Sequence, residues 1–386
     1  MENLNLKSFT HIFVITKGNE IGGASYYIYN LCKYLINSNY SPLVVHGPRG
    51  EFSKLCSKSN IPTLEIPNLK NNGNLKSDLI VIIKLIDLFS KLKKRAIINL
   101  NSSKASFLGR IASFISKRHC IHTVHGWAYT GKRNFMKKIL YYLIELILEI
   151  ITSPFVDKIF VCKYDLQKRP IPFLNLIFKD KVNLIYNGVE EKVSKPKKNI
   201  YYQSNNKNIL KIYTVSRLDK QKDNMSLIEV ISKYDNVFLD IYGTGEDFKT
   251  LNNWINKNSK YKNITLKGFV NRDDLVEISK NYDLFCLISK WEGFPLATLE
   301  AMRASKPILV SKVGGAAEIF NNKYKCGIPI SSKSPKDSIK NAINFYMKNR
   351  NLLIEHGINS KLNFLNHFTL EKCYKKHLKV WKKLGI

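Results

Sequence analysis

The chain reads as two consecutive α/β domains, each built on a doubly wound parallel sheet. Three observations carry that expectation. At 386 residues the chain exceeds what one ordinary core serves and suits two domains. Short apolar runs alternate with helical stretches along its whole length, as parallel strands do when crossover helices join them. A polar, strand-poor stretch interrupts the alternation near the middle.

In the first half the expected strands are 11–16, 43–46, 96–100, 120–125, 158–162 and 182–186. The second half repeats the pattern at 211–216, 237–242, 264–268, 284–289 and 308–311. Between them lie the polar residues 190–199 and Gln203-Ser204-Asn205-Asn206-Lys207, so 191–207 reads as a linker between domains at 1–190 and 208–386. Residues 370–384 are helical by periodicity.

A hydrophobic content of 44% is that of a globular chain, and no uninterrupted apolar run of 18 residues suggests a membrane span. Residues 1–5 carry no signal-peptide pattern. The seven cysteines form no C-x-x-C pair, and several sit inside apolar strands. They read as reduced core residues of a cytoplasmic protein.

The net charge of +32 invites a nucleic-acid reading, so its distribution matters. Residues 1–190 hold 27 Lys/Arg against 12 Asp/Glu, and the remainder 35 against 18. Such an even spread is a compositional bias rather than one binding face. The exception is 88–144, with twelve Lys/Arg and no Asp or Glu. That block suits an anionic membrane surface, or is simply a solvated face. The helix expected from Phe135 to Thr152 confines Lys138, Glu145 and Glu149 to one narrow stripe. Its apolar character predicts a buried core helix. An interfacial membrane helix is the competing reading.

The most informative stretch runs from Trp291 to Met302, directly after the apolar run 284–289. Locally it predicts a buried strand, a short loop, and a helix whose first turn carries Pro295. Unbonded N–H groups at such a helix start suit an anion. Glu292 lies in the loop beside that point and Glu300 farther along the helix, where carboxylates accept hydrogen bonds from hydroxyls. A phosphate flanked by two such carboxylates is what a nucleotide-sugar requires. Taken alone, the pattern also fits two glutamates on an exposed helix start.

Other segments add matching chemistry. Gly22 and Gly23 follow the first strand and precede a helical run over 26–35; two glycines admit a ligand close to the backbone, although a plain turn has the same pattern. Arg217 and Lys222 follow the first strand of the second domain, a fork and a point charge for a diphosphate. His125 ends a strand beside Gly126, where a lone histidine is more often structural. The eight His and seven Cys are scattered and form no metal constellation.

Glu292 and Glu300 together resemble the E-x7-E signature of retaining GT-B glycosyltransferases, and EGFPLATLEAM resembles its family 4 version. The Gly22-Gly23 loop, Arg217-Leu218 with Lys222, Thr123-x-His125-Gly126, Gly243-x-Gly245, Asn187-Gly188-Val189 and Gly314-Gly315 with Glu318 match that family in its order. Ser305 stands where the family usually has Gly, Ala317 where it has Pro, Asp223 where it has Gly, and Cys162 where Ser is common.

The resemblance implies two Rossmann-like domains facing across a cleft, with the last helix, 370–386, crossing back to the first domain. It implies an enzyme without cofactor or metal that moves a hexose-type sugar from a nucleoside diphosphate to an acceptor with retention. The diphosphate would lie on Gly293, Phe294, Pro295 and Leu296, clamped by Arg217 and Lys222. Glu300 would bind the ribose and Glu292 the donor sugar. His125 would hold that sugar from the first domain, near Gly22 and Gly23. Residues 125–153 resemble members that extend lipid-linked surface sugars in bacteria. That implies an undecaprenyl-diphosphate acceptor, O-antigen or capsule synthesis, and attachment at the inner face of the cytoplasmic membrane through Lys132, Arg133, Lys137 and Lys138. Another GT-B nucleotide-sugar enzyme, an epimerase or phosphorylase, is one alternative. A basic nucleic-acid-binding protein is the other, although no nucleic-acid motif is present.

Overall fold

The computed structural model describes residues 5–71, 74–125, 135–162, 181–191, 208–258, 262–320 and 323–384. Residues 192–207 of the expected linker lie outside them, as do Lys132, Arg133 and the side chains of Lys137 and Lys138. The chain divides into two compact units, 1–187 with 370–386, and 188–369.

Unit 1 carries β1 His11–Ile15, β2 Pro42–His46, β3 Thr63–Glu65, β4 Ile97–Leu100, β5 Cys120–Val124, β6 Lys158–Val161 and β7 Val182–Leu184. Its helices are α1 Gly23–Asn37, α2 Glu51–Lys58, α3 Leu75–Ser90, α4 Ser103–Ile115 and α5 Phe135–Thr152. The strands lie in the order β3-β2-β1-β4-β5-β6-β7. β1, β2, β4 and β5 are buried along their whole length, which is why they read as unbroken apolar runs. The winding reverses between β1 and β4, leaving a crevice at their carboxyl ends.

Unit 2 repeats the plan with β8 Leu210–Val215, β9 Val237–Tyr242, β10 Ile264–Gly268, β11 Leu284–Leu287, β12 Ile308–Ser311 and β13 Gly327–Ile330. Its helices are α6 Asn224–Ile231, α7 Phe248–Asn258, α8 Leu275–Ser279, α9 Leu296–Arg303, α10 Gly315–Glu318, α11 Pro335–Lys348 and α12 Asn351–His367. The order β10-β9-β8-β11-β12-β13 puts the reversal between β8 and β11. The eleven expected strands are present, with ends shifted by at most two residues. β3 and β13 were not expected. Both are edge strands, one only half-buried and one carrying Pro329, so neither shows an apolar run.

The last helix, α13 Leu370–Lys383, belongs to unit 1, as the family resemblance implied. Its buried Tyr374, His377 and Trp381 enter the core formed by Phe13, Ile28 and Phe160. The Tyr27 hydroxyl meets His377 Nε2 at 2.5 Å. All seven cysteines are buried thiols. Ser305 has φ +58°, the left-handed region where glycine sits without strain, which explains why the family prefers glycine there.

α5 corrects the expectation of a buried helix. Glu145 and Glu149 are turned inward and buried, whereas Leu140, Leu143, Ile147 and Ile151 are 46–56% exposed. The cause is Arg110 of α4, which is fully buried and needs a counter-charge. Glu149 supplies it at 2.8 Å, and Arg110 also donates to Thr152 at 3.1 Å and to His122 Nδ1 at 2.8 Å. The Ser103 hydroxyl donates to Glu145 at 3.0 Å. Leaving one partner of a buried ion pair unpaired costs about 3–5 kcal/mol, so Glu149 is held beside Arg110. Once Arg110 is inside, the carboxylates must follow it.

Candidate active site

In unit 2 the loops after β8 and β11 are sewn together at the switch point. The Asp223 N–H donates to the Ile288 carbonyl at 3.0 Å and the Lys290 N–H to the Gln221 carbonyl at 2.9 Å. Gln221 Nε2 donates to the Trp291 carbonyl at 2.9 Å. This stitching brings the Lys222 ammonium against Glu292 Oε1, an ion pair whose side chains are 12% and 7% exposed. The Ser289 hydroxyl donates to the same oxygen at 2.6 Å. Gly243 and Gly245 close the loop after β8 from behind. Their φ values are +137° and +159°, and a Cβ would lie 1.8 Å from the Ser216 carbonyl oxygen and 2.2 Å from that of Leu218.

α9 begins at Leu296, and Pro295 is its N-cap rather than part of its first turn as expected. Pro295 has no N–H, so it cannot be one of the anion donors expected across 293–296. Glu300 lies one turn into α9 and is 5% exposed. Its Oε1 takes Arg272 Nη1 at 2.7 Å, while Oε2 is buried with no hydrogen-bond partner among the described residues. Arg217 is 62% exposed and holds Asp219 at 2.8 Å and Gln221 at 3.1 Å. Its fork is thus folded onto its own loop. Ser289, Gln221, Asp219 and Arg272 escaped the sequence reading. The available signal was position: all follow the carboxyl end of β8, β10 or β11, where such sheets bind ligands.

In unit 1, Gly22 caps α1 and Gly23 is its first residue. The Gly22 backbone is extended, and a Cβ on either glycine would meet nothing within 4 Å. Neither turn geometry nor packing demands glycine at these positions. His125 follows β5, and its ring stands edge-on to Tyr27 of α1 at 5.0 Å. Its Nε2–H donates to Asn101 Oδ1 at 3.1 Å. Burial lowers its pKa to about 4, so the imidazole is neutral near pH 7 and Nδ1 is an acceptor. Asn101 is itself held, donating Nδ2 to the Asn99 carbonyl at 2.9 Å and its N–H to the Val14 carbonyl at 2.8 Å. Thus α1 brings Gly22, Gly23 and His125 into one region of unit 1. Asn101 and Tyr27 were not foreseen; an asparagine ending a parallel strand was the signal for the first.

Among the described residues, no group of three His, Cys, Asp or Glu is arranged to hold a metal ion. Among them no helix is long and apolar enough to cross a membrane.

Two family descriptions match the chain in tandem, "Glycosyltransferase Family 4" over residues 21–193 and "Glycosyl transferases group 1" over residues 197–362. The Escherichia coli UDP-Gal:alpha-D-GlcNAc-diphosphoundecaprenol alpha-1,3-galactosyltransferase is 31% identical over 281 residues, 67% of this chain and 68% of that one. This chain belongs to glycosyltransferase family 4. The family 4 enzyme is also similar to the E. coli O-antigen biosynthesis glycosyltransferase WbnH, 29% identical over 80% of this chain and 82% of that one. A solved structure of Anabaena HepE in complex with UDP-glucose matches with a TM-score of 0.76, covering 97% of this chain and 99% of that chain at 20% identity. The fold is therefore GT-B, and the enzyme is a glycosyltransferase.

Proposed function

We propose that this family 4 enzyme transfers a hexose from UDP to an undecaprenyl-diphosphate-linked glycan, with retention and without a metal, in bacterial surface-polysaccharide synthesis. The observation that carries the reading is the Lys222–Glu292–Ser289 cluster at the β8/β11 switch point, beside the start of α9. The leaving diphosphate takes the positive end of α9. Lys222 has further protons to offer it beyond the one given to Glu292. Arg217 exchanges Asp219 and Gln221 for phosphate oxygens, a cheap swap for a guanidinium that is 62% exposed. These cations oppose the charge that builds on the departing diphosphate.

Glu292, fixed by Lys222 and Ser289, serves as a preset acceptor for donor-sugar hydroxyls near the developing oxocarbenium ion. Arg272 leaves Glu300 Oε2 for the ribose. His125, neutral, offers Nδ1 to a sugar hydroxyl and acts as a ligand rather than an acid. Attack on the same face, assisted by the leaving phosphate, accounts for retention. UDP is favoured by the UDP-Gal in the E. coli relative's name and by the UDP-glucose bound in HepE. The lipid acceptor is favoured by the diphosphoundecaprenol in the same name. Peripheral attachment at the inner face of the cytoplasmic membrane through Lys132, Arg133, Lys137 and Lys138 is favoured by the acid-free basic block at 88–144.

A thermal-shift titration with UDP, GDP, ADP and CMP tests the donor reading. UDP at ~100 times its Kd should add about 2.7 kcal/mol to the folded state, and the others much less. A silent titration with all four would sink it. In the transfer assay EDTA should leave the rate unchanged, and a product of inverted anomeric configuration would rule out retention.

Gly23→Ala separates ligand space from folding. Alanine in the first helical turn should leave Tm unchanged or raise it, by up to about 1 kcal/mol of stability. The added methyl should raise the donor KM roughly tenfold by occupying space a ligand needs. An unchanged KM would remove Gly23 from the donor site.

A further inference from the structure

We infer that the outward face of α5 docks unit 1 on an anionic lipid bilayer. The inference rests on the lipid-linked acceptor reading and names the surface that meets the acceptor's membrane. Leu140, Leu143, Ile147 and Ile151 recur at helical spacing along one side of an 18-residue helix, and each is about half exposed. An apolar stripe of that length in water marks a binding surface. The helix cannot roll to bury it, because rotation would strand Arg110 and Glu149, whose ion pair is almost wholly buried. The face is therefore a fixed part of the fold.

The occupant follows from charge. Lys93, Lys94, Arg95 and Lys117 are exposed just past the carboxyl ends of α3 and α4, where Lys91 pairs with Asp87 at 2.7 Å. Arg118 draws those two ends together by donating to the carbonyls of Phe89, Ser90 and Leu92. Beside them Phe114 is 60% exposed and stacks on Phe155, just past α5, with ring centres 4.3 Å apart. Apolar side chains next to a basic rim, with no Asp or Glu between residues 88 and 144, complement anionic headgroups over acyl chains. A second copy of a chain carrying +32 would bring like charge to that rim. α5 lies in the plane of the interface, since no described helix can span the bilayer.

Sedimentation of the full chain with vesicles, without nucleotide or acceptor, tests the surface. Vesicles of phosphatidylglycerol and phosphatidylethanolamine should bind it, and pure phosphatidylcholine vesicles should bind far less. The triple variant Leu143→Gln, Ile147→Gln, Ile151→Gln should bind anionic vesicles roughly tenfold or more weakly, through lost apolar contact. Its Tm should fall by no more than a few degrees, because about half of each side chain already faces water. Four results would each overturn the inference: no vesicle binding by the parent, undiminished binding by the variant, a variant that no longer folds cooperatively because the chain itself covers the face, or a dimer that the variant dissociates. Transfer to a detergent-solubilised acceptor separates the two readings. Transfer without vesicle binding removes the docking surface and keeps the acceptor; vesicle binding without transfer keeps the surface and removes the acceptor.

Discussion

Glu292→Gln is expected to lower glycosyl transfer about 100-fold or more, the scale of losing one preorganised charged contact to a transition state. Glutamine keeps an oxygen for the Ser289 hydroxyl, which now lies 2.6 Å from Glu292, so the loop should hold its shape. What disappears is the negative charge next to Lys222. Because the pair is almost entirely buried, the single change should also cost unit 2 about 3 kcal/mol of stability. Lys222→Met should cost a similar amount by stranding the carboxylate. The double variant replaces both charges by neutral groups and should recover most of that stability while recovering none of the transfer. A double variant as unstable as the sum of the singles would mean the two residues are not coupled. Full transfer by Glu292→Gln would end the assignment of Glu292 to the donor sugar.

Acid should destabilise unit 1 well before it titrates ordinary carboxylates. His11 and His377 are 4% and 1% exposed, and burial holds each pKa at about 3 against an ordinary 6.5. Both rings pack on Trp381, with centroids 4.7 Å and 5.4 Å away. A histidine with a lowered folded pKa binds its proton only in the unfolded chain across the interval between the two values. Its contribution to stability is therefore intact above 6.5 and is lost as the pH falls from 6.5 towards 3. Each group contributes about 1.4 kcal/mol per pH unit in that window, so these two should remove about 4 kcal/mol between pH 7 and pH 5, with buried His122 and His125 adding to the loss. That is a large share of the roughly 5–15 kcal/mol a domain has. Tm measured from pH 7.5 to 4.5 should fall steeply below 6.5, and His11→Phe, which keeps an aromatic ring against Trp381, should flatten the curve. A flat profile in the parent would show that the two imidazoles are not held neutral by the fold.

Much of the architecture was legible before any coordinates. Strands such as β1 and β11 are buried on both faces, so burial itself writes an unbroken apolar run into the sequence. Edge strands such as β3 and β13 face water on one side and leave no such mark. At the site, Glu292, Lys222, Arg217 and His125 were legible because each belongs to a local run of residues with its own spacing. Their partners were not. Arg272 reaches Glu300 across 28 positions, and Asn101 reaches His125 across 24, through loops that only the strand order makes neighbours.

By itself, then, the sequence determined two doubly wound sheets, the helix that returns to the first of them, and the carboxylates and cations gathered at the β8/β11 switch point. It also determined that α5 has one polar stripe and one apolar face. Which of those faces points inward was decided only by the tertiary structure. Apolar character alone argues for burial of the aliphatic side. Arg110, 39 residues before Glu149 in the chain, is wholly enclosed by the fold and requires a carboxylate beside it. Glu149 stays beside that charge, and the helix is turned with its apolar face to the outside.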